Sequence, residues 1–400
     1  MDEDLVEREL YSETIVPLMG NGNVNVIQGI RRCGKSSQMR ALSHRLKGYN
    51  VVLVDMELAS NYELRDWKKL LRHIEDSMKP DMPNAVLIDE VQDVPQWELA
   101  VRDIVARNLC MLFVTGSNAN LLSSEYTTYL GGRMNRFFML PLTYRECLKF
   151  REKYGGEGDV LQRLMRVGGF PIIWSFPVPN ASAMHAVKDI LDVAISNDIQ
   201  RRFPDSDTDT LDRILRTVMS TVGKYASANN IYNTLKSDGT KISSATVYSI
   251  LSRLEAANIV IKAHAYDIEG RRNLTTRYKY YAADVGLIHA VVGYKQGRIP
   301  AYMENLVYVD LRSRGYDVYV GDEKGLEVDF VAMKDDRMLY VQICMGFTSE
   351  DVMERELRSL ESIDDNFPKY VVLLEAGVFA GPTDKGIEII GLREFLSSDI

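Results

Sequence analysis

Residues 29–37 read Gly-Ile-Arg-Arg-Cys-Gly-Lys-Ser-Ser, and no other stretch restricts the fold of this chain as much. Gly29, Gly34, Lys35 and Ser36 fill the fixed positions of G-x-x-x-x-G-K-[ST], a loop that works in one structural setting. A buried strand must deliver the chain to the loop and a helix must leave it. Backbone N–H groups and the positive end of the helix then converge on an anion. The flanks provide both elements. "VNVIQ" is a short apolar run of strand length, and "SSQMRALSHRL" has the spacing of an amphipathic helix. The expectation is a nucleotide cradle formed by Gly29, Ile30, Arg31, Arg32, Cys33, Gly34, Lys35, Ser36 and Ser37. Lys35 would reach the β- and γ-phosphate oxygens of ATP, and the Ser36 hydroxyl would ligate Mg2+. A basic surface turn is the plain alternative.

A loop of this kind needs a carboxylate partner. "AVLIDEVQDV" runs four apolar residues into Asp89-Glu90, as a central parallel strand buried on both faces would. Asp89 would stand beside the metal and Glu90 beside the attacking water. Two adjacent carboxylates are costly to bury without a cation, so each motif supports the other. "YNVVLVDMEL" reads as another strand, and "CMLFVTGSNANLL" as a third, ending near Asn118. The Asn118 amide could orient a water near the γ-phosphate or cap the next helix. Arg133 and Arg136 lie within "GGRMNR", after a glycine pair and before the strand-like "FFMLPL"; each is either a solvated surface charge or a finger offered to a neighbour's phosphate.

With these residues in place, the chain resembles the AAA+ ATPases of bacteria and archaea, in the subfamily with a C-terminal domain of unknown function. "GIRRCGKSS", "VLIDEVQDV", "VTGSNANLL", "GGR" and "LPLTYREC" carry the likeness, and "VGGFPIIW" and "KYYAADVGL" extend it. The resemblance implies an α/β fold, a P-loop αβα sandwich with a helical lid, binding ATP and Mg2+ and often assembling as a ring homo-oligomer. It makes Lys35 and Ser36 phosphate and metal ligands, Asp89 a metal-shell residue and Glu90 the catalytic carboxylate. Asn118 matches the sensor position and Arg133 the finger position.

The rest of the chain divides by pattern. The expected parts are an ATPase core over 1–167, a lid or linker over 168–206, a winged helix-turn-helix over 207–295 and a small α/β restriction-endonuclease-like domain over 296–400. The third part rests on three helical patterns followed by two strand-like runs. Between residues 240 and 280 there are seven basic and three acidic residues, a local surplus of four in a chain of net charge −8. That contrast is the footprint of a phosphate-contacting wing, with Arg253, Arg271, Arg272, Arg277 and Lys279 as candidate DNA contacts. A wing used for protein contact is the alternative. In the last part Glu304 and Asp329 match two positions of a nuclease metal site. Gln342 and Cys344 stand where a carboxylate and a lysine belong. An amide is a poor Mg2+ ligand, so a non-catalytic docking role is expected there.

Composition closes other routes. The 400 residues hold four cysteines without metal or disulfide spacing, consistent with a reduced cytoplasmic setting. The acidic "MDEDLVEREL" lacks a secretory core, and no apolar run suggests a membrane span. The leading expectation is an ATP-hydrolysing protein whose nucleotide state controls a DNA-binding C-terminal half. The rivals are a nucleotide-dependent switch with a protein partner, and a nuclease with a rearranged metal site.

Overall fold

The computed structural model describes residues 5–118, 129–176, 178–201 and 207–399. Two compact units make up the chain: Met1–Leu140 with Ala256–Asn258, and Pro141–Glu255 with Ile259–Ile400. This grouping is coarser than the four-part division expected above, and it takes residues 141–167 into the second unit.

In the first unit α1 (Glu9–Ile15) precedes β1 (Val24–Gln28), α2 (Lys35–Arg45), β2 (Asn50–Asp55), α3 (Trp67–Ser77) and β3 (Asn84–Asp89). Then come α4 (Trp97–Ala106), β4 (Met111–Gly116) and β5 (Met134–Phe138). The strands form one parallel sheet in the order β2-β3-β4-β1-β5. The apolar runs read from the sequence are its centre: every residue of β1 is buried, as are Ala85–Asp89 of β3. Both faces of a parallel sheet must be covered. Val86, Ile88 and Val114 pack with Leu70 and Ile74 of α3 and Val101 and Ile104 of α4. Because the strands run one way, their C-terminal ends share an edge. Gln28 is the register partner of Gly116, and Asp55 of Asp89. The loops that leave this edge build the site.

The second unit opens with α5 (Tyr144–Tyr154), α6 (Val160–Val167), α7 (Pro171–Ser175) and α8 (Asn180–Ala194). The motif "LPLTYREC" is explained locally. Thr143 and Glu146 form a capping box at the start of α5, with Thr143 N donating to Glu146 Oε2 at 2.8 Å. Three helices follow, α9 (Thr208–Ser220), α10 (Ala228–Ser237) and α11 (Ser244–Ala256), then the hairpin β6 (Val260–Asp267) and β7 (Arg272–Ala282). Ser243 caps α11 by accepting from Thr246 N at 3.0 Å. After α12 (Val285–Val292) and α13 (Ile299–Ser313) come β8 (Asp317–Glu323), β9 (Leu326–Lys334) and β10 (Arg337–Cys344). The unit ends with α14 (Glu350–Glu361), β11 (Lys369–Leu373), β12 (Gly381–Pro382), β13 (Ile387–Gly391) and α15 (Leu392–Ser397).

The hairpin does not stand alone. β6 pairs in parallel with β8 through Ala265–Asp267, so one sheet runs β12-β13-β11-β10-β9-β8-β6-β7. The expected boundary at 295/296 therefore falls within a unit that shares a single sheet.

"VGGFPIIW" and "KYYAADVGL" meet in this unit around Asp284. Its carboxylate caps α12, accepting from Gly286 N at 2.7 Å and from Gly169 N at 2.6 Å. Gly168 lies at φ +82°, and a Cβ there would come within 1.7 Å of Asp284 Oδ1. Burial pushes the Asp284 carboxyl up to about 7, against the two N–H donors. A raised folded-state value makes the neutral form the stable one. The stability this confers is complete below the unfolded value near 4 and is lost as pH rises through about 7. Asp284→Asn keeps a capping oxygen and cannot ionise. The variant should show a shallower decline in urea midpoint between pH 5 and pH 8 than the wild type. Parallel midpoint curves for the two proteins would refute this account.

Candidate nucleotide site

The phosphate loop leaves β1 and enters α2 as its glycines require. Gly34 adopts φ +104° at the N-cap of α2, a region costly for other residues. A Cβ at Gly29 would come within 2.0 Å of the Met139 carbonyl oxygen, so this close approach admits glycine alone without a shift. Ile30 and Cys33 are fully buried, and Cys33 Sγ contacts the Met139 carbonyl oxygen at 3.4 Å. Their side chains anchor the loop, so they could serve a ligand through backbone N–H groups only. Arg31 pairs with Glu57 at 3.1 Å, whereas Arg32, at φ +64°, and Ser37 are exposed.

Lys35, Ser36, Asp89 and Glu90 come together at the sheet edge. Lys35 Nζ lies 3.4 Å from Glu90 Oε1 and donates to the carbonyls of Gly29 at 3.1 Å and Ile30 at 3.3 Å. Burial is the largest single effect and works against the Lys35 charge, but Glu90, with smaller help from Cys33 and Asp89, outweighs it and holds the ammonium above its usual range. Burial likewise opposes the Glu90 charge; Lys35 and Arg31 overcome it and hold the carboxyl below its usual range. Asp89 goes the other way: burial raises it, although the Ser36 and Thr115 hydroxyls donate to it. Two adjacent carboxylates thus differ. Glu90 is kept ionised by a fixed cation, and Asp89 is a buried carboxylate beside a hydroxyl. Hard oxygen donors of that kind fit Mg2+, which would relieve the burial penalty on Asp89.

Several residues that shape the site were not singled out in the sequence. Arg8, 3% exposed, donates from Nη1 to the carbonyls of Cys33 at 3.0 Å and Leu140 at 2.6 Å, bracing the loop. Thr115 donates to Asp89 Oδ1 and accepts from Glu90 N at 3.1 Å. Gln92 donates from Nε2 to Glu90 Oε2. Gln92, two residues past Glu90, carried a sequence signal; Arg8, far from every motif, carried none.

Other expected residues are placed as follows. Asn118 follows β4 and is half-buried; residues 119–128, on which the expected helix-capping role falls, lie outside the described residues. Arg133 is exposed and precedes β5, its carbonyl accepting from Val24 N at 3.1 Å. That is the sheet edge opposite the phosphate loop, so Arg133 does not reach the nucleotide side of its own sheet.

The basic group of the hairpin is only partly outward. Arg271 and Arg272 are exposed at the turn, where Arg272 Nε pairs with Asp267 Oδ2 at 3.1 Å. Arg277 is exposed and paired with Asp322, and Arg253 is half-buried on α11. Lys279 is a correction: it is 2% exposed and turned inward, with Nζ 2.7 Å from Glu327 Oε1 and 3.1 Å from Glu304 Oε1. A buried, doubly paired ammonium cannot meet a DNA phosphate. The nuclease-like positions join the same network. Tyr281 OH donates to Glu304 Oε1 at 2.6 Å, and Asp329 Oδ2 accepts from Ile343 N at 2.7 Å. Gln342 accepts from Asp329 N at 3.2 Å and donates to Glu356 at 3.0 Å, so its amide is engaged at both ends. Among the described residues no group of three or more His, Cys, Asp and Glu is arranged to hold a metal, and no helix is long and apolar enough to cross a membrane.

The parallel sheet, the loop and the carboxylate pair define an AAA-type P-loop ATPase, and residues 21–148 match the AAA domain family. Residues 158–298 match a domain of unknown function (DUF8612), which spans the expected lid and the three-helix segment together. An uncharacterized protein of Haemophilus influenzae is 30% identical over 407 residues, covering 99% of this chain and 100% of that protein. The chain belongs to one family with it along their whole length. The uncharacterized protein MJ1544 of Methanocaldococcus jannaschii is 28% identical over 357 residues, covering 84% of this chain and 78% of its own. Among solved structures, the Walker-type ATPase PABY2304 of Pyrococcus abyssi has a similar fold at 16% identity, with a TM-score of 0.52 over 72% of this chain and 96% of that one.

Proposed function

We propose that this ATPase hydrolyses ATP with Glu90 as the catalytic carboxylate, and that its nucleotide state controls a C-terminal half that binds DNA. The observation that carries the hydrolytic part is the split pair at the end of β3. Glu90 is held ionised by Lys35, and Asp89 is buried against Ser36. Phosphate oxygens entering the loop compete for Lys35 Nζ and draw it from Glu90, which frees that carboxylate to orient and deprotonate a water. Ser36 and Asp89 would hold Mg2+, which supplies charge neutralisation on the phosphates. Arg133, on the far edge of its own sheet, fits a finger offered to a second copy, and this supports a homo-oligomer.

The DNA part is supported by the exposed Arg271-Arg272 turn that follows three helices in the chain. Its test is steady-state ATP hydrolysis with duplex and single-stranded DNA at two salt concentrations. The reading expects stimulation that fades as salt rises, and loses most of it in the double variant Arg271→Glu/Arg272→Glu. Hydrolysis indifferent to DNA would remove DNA as the effector and assign the half to a protein partner.

A further inference from the structure

Residues 256–258 pack in the first unit, although the chain on either side belongs to the second. Asn258 is 3% exposed and has φ +55°, a conformation asparagine tolerates better than most residues. Its amide is engaged at both ends. Oδ1 accepts from Gln28 Nε2 at 2.9 Å, and Nδ2 donates to the Ser117 carbonyl at 2.6 Å. Gln28 is the last residue of β1, one position before the phosphate loop. Ser117 is the first residue after β4, one position before Asn118. The Gln28 Oε1 atom is buried without a hydrogen-bond partner among the described residues, so its amide is held from the Nε2 side by Asn258.

We propose that Asn258 is a positioning residue of the ATPase site. It fixes the segment that carries Asn118 against the strand that delivers the phosphate loop. Hydrolysis thereby depends on the short turn between α11 and β6, the point at which the second unit's chain enters the first. The inference rests on the hydrolytic reading above. Attack on a γ-phosphate demands close alignment of water, base and phosphate, and small displacements cost rate far more than they cost binding.

The amide can be separated from the backbone. Asn258→Gly accepts a positive φ without strain and removes both hydrogen bonds. Asn258→Asp can accept from Gln28 but sets a carboxylate against the Ser117 carbonyl. Both variants should lose kcat by about tenfold or more, with affinity for a fluorescent ADP analogue within about twofold of wild type. Gln28→Ala should reproduce the loss, and Gln28→Ala/Asn258→Gly should add little to either single change, as expected of residues acting as one unit. Wild-type kcat in Asn258→Gly would overturn the proposal. So would a fall in kcat matched by an equal fall in affinity or in folded fraction, which marks a structural role only. A wild type that does not hydrolyse ATP would instead refute the ATPase reading, and the assignment to Asn258 would fall with it.

Discussion

Glu90→Gln lowers steady-state ATP hydrolysis by about a hundredfold or more and leaves nucleotide affinity within about threefold of wild type. The two side chains are nearly the same size, and a glutamine oxygen can still face Lys35 at the 3.4 Å separation seen for Glu90. What is lost is a group able to take a proton from water. Two competing effects bear on the size of the result. The Lys35 ammonium loses its largest favourable charge partner, which weakens the hold on it in a fully buried position. Asp89 remains close enough to favour that charge, so the loop should stay formed. Binding of a fluorescent nucleotide and thermal melting separate a folded, silent enzyme from a damaged one. Turnover equal to wild type would remove Glu90 from the catalytic role.

The site was legible in the sequence where local rules suffice. A loop with fixed glycines, lysine and serine has one workable backbone, and an apolar run ending in Asp-Glu has one sensible place in a parallel sheet. The residues that tune the site could not be read that way. Arg8, Thr115 and Asn258 reach it through hydrogen bonds spanning 25 to 141 positions, and no spacing rule connects such distant residues. Charge counting failed for a related reason. It set Lys279 beside Arg277 and Arg272 as one basic group, but β7 runs from an exposed turn end into a buried end, and burial changes along the strand. Lys279 falls in the buried end, and Arg277 remains exposed beside Asp322. The sequence pattern changes at 295/296, but sheet pairing between β6 and β8 crosses that point.

Lys279→Met should destabilise the second unit by about 3–5 kcal/mol, the range for a buried ion pair that loses one partner. Methionine replaces the stem volume, so packing changes little and the result reads charge. Lys279 is opposed by burial, yet Glu304, Asp329 and Glu327 together hold its ammonium well above the usual lysine range. Glu327 is 41% exposed and largely screened by solvent, so the loss falls mainly on Glu304 and Asp329. Burial already raises both of those carboxyls, and the charge of Glu304 raises Asp329 further. Without the lysine both rise again. A raised folded value gives stability that is present below the unfolded value near 4 and lost as pH increases. The deficit of the variant should therefore grow from pH 5 to pH 8 in urea unfolding. Adding Glu304→Gln removes one of the two orphaned charges and should recover more than half of the loss at pH 8. A single variant within about 1 kcal/mol of wild type at pH 8 would mean that the cluster is solvated and that Lys279 belongs after all with the outward basic residues of the hairpin.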